Sequence, residues 1–326
     1  MDSHEVNHIK EELLWRRNKI QETITSQLAP AGLAKLLEEV DSALERIENG
    51  TYGICIVCND PVEPDRLKVN PLITVCLDHL NKQQQRELEA DISLAQDIQQ
   101  SMLPQNNRVI NGWEVYYHYE PASTVSGDYC DIVNPQTDDK SIYLILGDVS
   151  GKGIAASMLM THMRAMFHSL IPMELPINKL VDRASRILCE STTTSHYATL
   201  LCIKAEEKGN VEICNAGHCF PLLINKNGIT QIKSTGMPIG IFCETDYNVV
   251  DFDLSPGDML LFYTDGLSEA FRGETMFGTE RIEKFAEQNR DLSPKEFVEN
   301  LLRELYLFLG GSLKSDDLTI MAVRKT

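Results

Sequence analysis

Positive charge is scarce in this chain. Thirty Lys and Arg stand against 48 Asp and Glu, a net charge of −18 over 326 residues. That balance argues against general affinity for nucleic acid or an anionic membrane, whose phosphates would be repelled. No apolar run reaches about 18 residues, so no membrane-spanning helix is expected. Met1-Asp2-Ser3-His4-Glu5 is no signal peptide, and the chain is read as cytoplasmic. Cysteines number nine, an odd count that fits poorly with a fully paired secreted framework. Six of them, Cys130, Cys189, Cys202, Cys214, Cys219 and Cys243, are scattered through apolar stretches and read as reduced core residues. A nucleotide-binding P-loop is also missing: Gly147–Gly153 is one residue short, and no Ser or Thr follows Lys152.

With 43% hydrophobic residues, the chain has material for more than one core. Residues 5–27 and 33–47 carry apolar positions near helical spacing, interrupted by Ala29-Pro30-Ala31-Gly32, which suggests an antiparallel helical hairpin. A cysteine module follows at 51–79. Next comes a Gln-rich helical stretch with Leu88, Ile92, Ala95, Ile98 and Met102 on one stripe, closed by Pro104. It reads equally as a dimeric coiled coil or as one amphipathic helix packed on its own domain. From Trp113 onward, strand patterns (113–120, 141–146, 198–204, 211–216, 221–224, 259–264, 318–323) alternate with helical ones (154–170, 177–192, 279–288, 294–309). A short hairpin turn joins 198–204 to 211–216, so much of the sheet is antiparallel and the class is α+β. The domain reading is 1–80 hairpin plus cysteine module, 81–104 linker helix, and 105–326 α+β domain.

Cys55-x-x-Cys58 and Cys76-x-x-His79 form two ligand pairs able to close a tetrahedron around Zn²⁺ with no open position. Separately, four aspartates sit in short Gly- or Ser-flanked settings: Asp128 (Ser126-Gly127-Asp128-Tyr129), Asp148 (Gly147-Asp148-Val149-Ser150-Gly151), Asp265 (Thr264-Asp265-Gly266) and Asp316 (Ser315-Asp316-Asp317-Leu318-Thr319). Carboxylates at strand ends can converge from afar, and gathered together they need a divalent cation to stay ionised. With no His or Cys among them, Mg²⁺ or Mn²⁺ suits this second site.

Taken in order, with Gln99–Pro104 and Asn215-Ala216-Gly217-His218, these motifs resemble the bacterial sporulation- and stress-response-type branch of the metal-dependent protein phosphatases (the protein phosphatase 2C superfamily) over about Gln99–Lys325. The resemblance implies two antiparallel sheets face to face, flanked by helices (an α-β-β-α sandwich), with the metals in the cleft between the sheets. It implies two Mn²⁺ or Mg²⁺ ions bridged by Asp148, one completed by the Val149 carbonyl. By the same resemblance Asp265 and Asp316 would hold one metal and Asp128 would help bind the other. The resemblance further implies hydrolysis of phosphoserine or phosphothreonine by direct attack of a bridging hydroxide, on a regulatory protein such as an anti-sigma-factor antagonist. Ser150 stands where eukaryotic relatives often have a histidine, so the general acid is unidentified. Asp131 and Asp317 are read as holding outer-shell water or as solvated. Lys152 either steadies phosphate or is solvated. His218 is read as shaping its turn, with an acid role as the competing view.

The finger, with Ala43–Ile47 and Gly50–Cys55 before it, resembles the DksA/TraR type. His79 takes the place of a cysteine often found in that family. The tip, Gln27–Gly32, lacks the carboxylates with which the best-known members enter RNA polymerase, so that partner is not favoured. The module is read as sensory or docking, with a structural Zn²⁺ staple as the alternative. The runner-up for the whole chain is a zinc-finger transcription regulator whose phosphatase-like domain only docks partners.

Overall fold

The computed structural model describes residues 3–25, 33–80, 82–135, 140–192, 196–312 and 314–326. The chain divides into two compact units, Met1–Asp91 and Ile92–Thr326. Among the described residues no helix is long and apolar enough to cross a membrane.

In the first unit, α1 (Ser3–Thr25) and α2 (Leu33–Glu48) pair through Ile9, Leu13, Ile20, Val40, Ala43 and Leu44. Ion pairs Lys10–Glu48 at 4.0 Å and Arg17–Asp41 at 2.6 Å step in opposite directions along the two helices, which makes the pair antiparallel. The expected tip, Gln27–Gly32, lies outside the described residues. The finger contains an unforeseen short helix, α3 (Pro64–Val69), whose buried Leu67 packs with Val62, Cys55 and Cys76.

The division between the units falls inside α4 (Lys82–Met102). In the second unit the expected stripe of α4 holds in part: Ile92, Ala95 and Met102 are half-buried, but Ile98 is 47% exposed and Gln99 is buried. Ile92, Ala95, Gln96, Gln99 and Leu103 share the less exposed face, at the i, i+3, i+4, i+7 spacing of one helix side.

Two antiparallel sheets follow. The first, in order, is β1 (Arg108–Ile110), β2 (Trp113–Glu120), β13 (Leu318–Lys325), β10 (Met259–Tyr263), β7 (Leu222–Asn225) and β8 (Gly228–Gln231). The second is β3 (Asp128–Val133), β4 (Ile142–Val149), β5 (Ala198–Ala205), β6 (Asn210–Ala216) and β9 (Val250–Asp253). A short ribbon, β11 (Phe271–Arg272) and β12 (Thr275–Met276), stands apart.

Strand alternation assigns the layers. In β10, Leu260 and Phe262 enter the core between the sheets, whereas Met259, Leu261 and Tyr263 face the helices α8 (Thr279–Gln288) and α9 (Pro294–Leu309). In β4, Leu144 and Leu146 point between the sheets, while Tyr143 and Ile145 meet α5 (Gly153–Leu170) and α6 (Ile177–Ser191). The architecture is therefore the expected helix–sheet–sheet–helix sandwich. With both faces covered, these strands read as unbroken apolar runs. Helix α9 starts at a capping box, Ser293 and Glu296, and stops at Gly310 in the left-handed conformation.

One expectation about cysteine fails. Cys189, on α6, and Cys243 are joined by a disulfide, with Cα atoms 5.3 Å apart. Folding brings residues 54 positions apart into bridging range, which no local spacing announces. Cys130, Cys202 and Cys214 are buried free thiols, and Cys219 is half-buried.

Candidate active site and metal centre

The aspartates gather where both sheets end. Asp128 and Asp148 are direct cross-strand partners on β3 and β4. Asp128 is 2% exposed, and its carboxylate accepts hydrogen bonds from Thr264 Oγ1 (3.0 Å) and Thr319 Oγ1. Those threonines belong to the opposite sheet, so this carboxylate ties the two sheets together. Both hydroxyls are fully buried. Sequence reasoning did not single them out, although they sit inside the Thr264-Asp265-Gly266 and Asp316-Asp317-Leu318-Thr319 motifs.

Asp265 opens the single turn α7 (Asp265–Ser268) after β10. The turn lies so close to the chain before β13 that a Cβ on Gly266 would be 1.9 Å from the Asp317 carbonyl oxygen. Asp316 is on that facing segment, and Lys152 Nζ donates to its Oδ2 at 2.9 Å and to the Ser315 carbonyl at 2.8 Å. Lys152, its side chain 65% exposed, thus forms an ion pair with Asp316 at the edge of the site.

The charges feel one another. Burial, then Asp265, Asp316 and Asp317, push the Asp148 carboxyl up to about 7. Asp265 is raised by burial and then by Asp316; Asp128 is raised well above the usual range by burial and then by Asp148. A divalent cation would reverse this cost, because opposite charge favours the ionised carboxylates. Hard oxygen donors, mutually repelling and partly buried, fit Mg²⁺ or Mn²⁺. The Val149 carbonyl oxygen is beside Gly127, 3.2 Å from where a Cβ there would lie.

The neighbouring acids correct the sequence reading. Asp317 accepts from the Ala122 N–H (2.7 Å) and the Gly127 N–H (2.8 Å), so it fastens the loop that leads into Asp128. Asp131 is three residues beyond Asp128, and strand alternation sends it to the opposite face. There, 2% exposed, it meets Tyr129 Oη (3.0 Å), His168 Nε2 (2.7 Å) and Arg164 Nε (3.7 Å). Asp131 thus faces away from the site, and Asp317 is tied to backbone rather than simply solvated.

Loop 149–153 is clipped by Ser150, whose N–H donates to the Tyr197 carbonyl (2.9 Å) and whose Oγ accepts from the Tyr197 N–H (3.0 Å). His218 shapes a turn. Its N–H donates to Asn215 Oδ1 (2.8 Å), and its Nδ1 pairs with Thr199 Oγ1 (2.8 Å). Burial lowers its pKa to about 4, with the Tyr263 backbone opposing. A neutral imidazole sealed in this way is no ready proton donor.

In the other unit, Cys55, Cys58, Cys76 and His79 place one ligand atom each within 4.8 Å of one another. Cys58 Sγ–Cys76 Sγ is 3.7 Å and Cys76 Sγ–His79 Nδ1 is 3.2 Å, close to the ~3.3–3.8 Å edges of a zinc tetrahedron. Burial opposes the Cys55 thiolate, but backbone groups of Cys76, Cys58 and Val57 outweigh it and lower its pKa to about 6. The aspartates are a looser set: among the described residues only this Cys/His group meets so closely.

Comparison with known proteins agrees with both halves. The family model described as Stage II sporulation protein E (SpoIIE) matches residues 138–326, more than half of the chain. The prokaryotic dksA/traR C4-type zinc finger matches residues 50–78. Protein IcfG of Synechocystis sp. is 27% identical over 264 residues, covering 72% of this chain and 41% of that protein. Phosphoserine phosphatase RsbU of Bacillus subtilis is 25% identical over 244 residues, covering 74% of this chain and 72% of that protein. The chain thus spans less than half the length of the first of these relatives. Among solved structures, the SiaA-PP2C domain of Pseudomonas aeruginosa superposes with a TM-score of 0.63 at 18% identity, covering 74% of this chain and 98% of that one. At that identity the likeness speaks for the fold, which is that of PP2C.

Proposed function

The chain belongs to the Stage II sporulation protein E (SpoIIE) family, and from that premise we propose that it is a metal-dependent serine/threonine protein phosphatase governed by its zinc-finger unit. The observation that carries this is the convergence of Asp128, Asp148, Asp265 and Asp316 from both sheets, with Asp148 raised to about 7 by burial and its acidic neighbours. In this reading Asp128, Asp148, Asp265, Asp316 and the Val149 carbonyl hold two Mn²⁺ or Mg²⁺ ions. Cys55, Cys58, Cys76 and His79 hold one Zn²⁺. When bound, the divalent pair supplies activation of water and neutralisation of the phosphoryl oxygens.

The chain's own residues set the geometry. Thr264 and Thr319 fix the Asp128 carboxylate, and Asp317 holds the preceding loop. Gly266 allows the Asp265 turn to approach the Asp316 segment. Lys152 pairs with Asp316 at 2.9 Å. The substrate is a phosphoserine or phosphothreonine on a small regulatory protein; RsbU, a phosphoserine phosphatase by name, supports the residue type. An anti-sigma-factor antagonist is the partner this branch suggests.

Control would reach the site through the end of α4. Gln99, buried, donates from Nε2 to the Ser126 carbonyl (2.8 Å) and accepts the Ser126 N–H on Oε1 (2.9 Å), two residues before Asp128. We assign 1–80 as the sensing segment, 81–104 as the relay, which would also carry any homodimer contact, and 105–326 as the catalytic domain.

The test is phosphate release from a phosphoserine peptide with and without Mn²⁺, comparing wild type with Asp316→Asn. Mn²⁺-dependent release that collapses in the variant supports the reading. Release that is indifferent to Mn²⁺ or to the substitution refutes it, and a folded, metal-loaded wild type with no turnover favours the docking alternative.

A further inference from the structure

A groove of about 810 Å³ runs between α8 and α9, on the side of the first sheet away from the sheet–sheet core. Its residues follow from helix spacing. On α8, Arg281, Lys284 and Phe285 share one face; on α9, Arg303, Glu304, Leu307 and Phe308 share another. Phe285 and Phe308 are half-buried in the floor, and Arg281 stacks over the Phe308 ring at 4.7 Å. Leu307 is 73% exposed on the wall. Three cations line the groove, against one carboxylate, Glu304, among the described residues that do so. That local sign is opposite to the chain, whose net charge is −18.

We infer that this groove docks an acidic amphipathic segment of a partner protein. An apolar floor rimmed by cations recognises a helix with apolar anchors on one face and carboxylates beside them. Charge complementarity selects the occupant, because the rest of an acidic surface repels such a segment while the groove attracts it. The ten residues of α8 span about 15 Å, long enough to seat roughly ten residues of an added helix. Arg281, with its guanidinium carbon over the Phe308 ring, presents its guanidinium at little further entropic cost. The groove uses none of the aspartates or cysteines above, so this function is independent of catalysis.

The test uses the full chain and a fluorescein-labelled peptide of roughly 14 residues, leucine at i, i+3, i+4 and i+7 and glutamate elsewhere. Fluorescence anisotropy should show binding that weakens with salt and is lost when lysine replaces glutamate in the peptide. Arg303→Glu should weaken it about tenfold or more. Lys284→Glu alters the rim without touching the Arg281–Phe308 stack, so it separates lost docking from lost folding, and it should weaken binding in the same direction. Equal binding of both peptides, unchanged affinity in both variants, or no binding by wild type would overturn the inference. So would capture of single-stranded RNA or phosphatidylserine vesicles in place of the peptide.

Discussion

His218 makes stability depend on pH in a way that can be calculated. Buried at 4% exposure, its imidazole is displaced from the ordinary 6.5 to about 4. The folded protein therefore keeps it neutral while the unfolded chain protonates it below 6.5. Stability rises with pH wherever the unfolded state binds more protons. The His218 contribution is thus complete above 6.5, falls as pH drops, and is exhausted near 4. The full difference, 6.5 minus about 4, is 2.5 units; at 1.36 kcal/mol each it amounts to about 3 kcal/mol. The sequence pI is ≈ 4.9, and solubility is poor near it, so the practical window is about pH 7 to 5.5. Within it the expected loss is about 1.2 kcal/mol. Asp128, Asp148 and Asp265, whose pKa values are raised, slope the opposite way. The measurement must therefore be a difference between wild type and His218→Gln, in which those slopes cancel. Trp113 is fully buried in the second unit while Trp15 is 64% exposed in the first. Urea unfolding followed by Trp113 fluorescence in a Trp15→Phe background reports the right unit. A wild-type advantage over His218→Gln that stays constant from about pH 7 to 5.5 would refute the burial argument.

Other perturbations have outcomes as definite. Asp148→Asn should cut Mn²⁺-dependent phosphate release on the order of 10²-fold or more. In metal-free buffer at about pH 8, the same variant should melt higher than wild type by calorimetry, since ionising Asp148 costs stability above its raised pKa of about 7. Lys152→Gln should tighten Mn²⁺ by a few-fold in calorimetric titration, because an ammonium no longer competes for Asp316. The pair's exposure, 65% and 40%, limits the effect to about 1 kcal/mol or less. Gly266→Ala should cost about 3 kcal/mol or more, read as a lowered urea midpoint, because its Cβ would meet the Asp317 carbonyl oxygen at 1.9 Å. Cys76→Ser should reduce the zinc content measured by mass spectrometry and expose 51–79 to limited proteolysis, since thiolate ligation holds that small core.

Long elements buried on one stripe or on both faces were legible in the sequence. Trp113–Glu120, Thr279–Gln288 and Pro294–Leu309 occur with the bounds expected. Strand β3 was not foreseen, although it carries Asp128. Two carboxylates in Asp128-Tyr129-Cys130-Asp131-Ile132-Val133 break the apolar pattern, and both are buried by partners from distant segments. Strand β4 was expected to stop at Leu146, but the ladder continues through Gly147 and Asp148 to Val149. There the chain uses a strand, not a turn, to present the Asp148 carboxylate. Thr264, beside an Asp-Gly turn, and Thr319, at the start of a strand, were silent for a related reason: such a hydroxyl is ordinary until the second sheet supplies its acceptor.

That dependence on two sheets bears on how a remote unit could control the site. The Asp128 carboxylate is held from the first sheet, its backbone belongs to the second, and the loop before it is held by Asp317 and Gln99. The Gln99 clasp consists of two buried hydrogen bonds, each contributing about 0.5–1.5 kcal/mol. Their sum is close to the 1–3 kcal/mol typical of allosteric coupling, about five- to 150-fold. A clasp of that size can bias the position of Asp128 without threatening cores that bury dozens of apolar side chains. Gln99→Leu should therefore lower the thermal midpoint of the second unit by no more than about 10 °C while changing the Mn²⁺ concentration needed for half-maximal turnover. A midpoint collapse would make Gln99 a structural pin, and an unchanged Mn²⁺ requirement would remove the end of α4 from the route to the metal site.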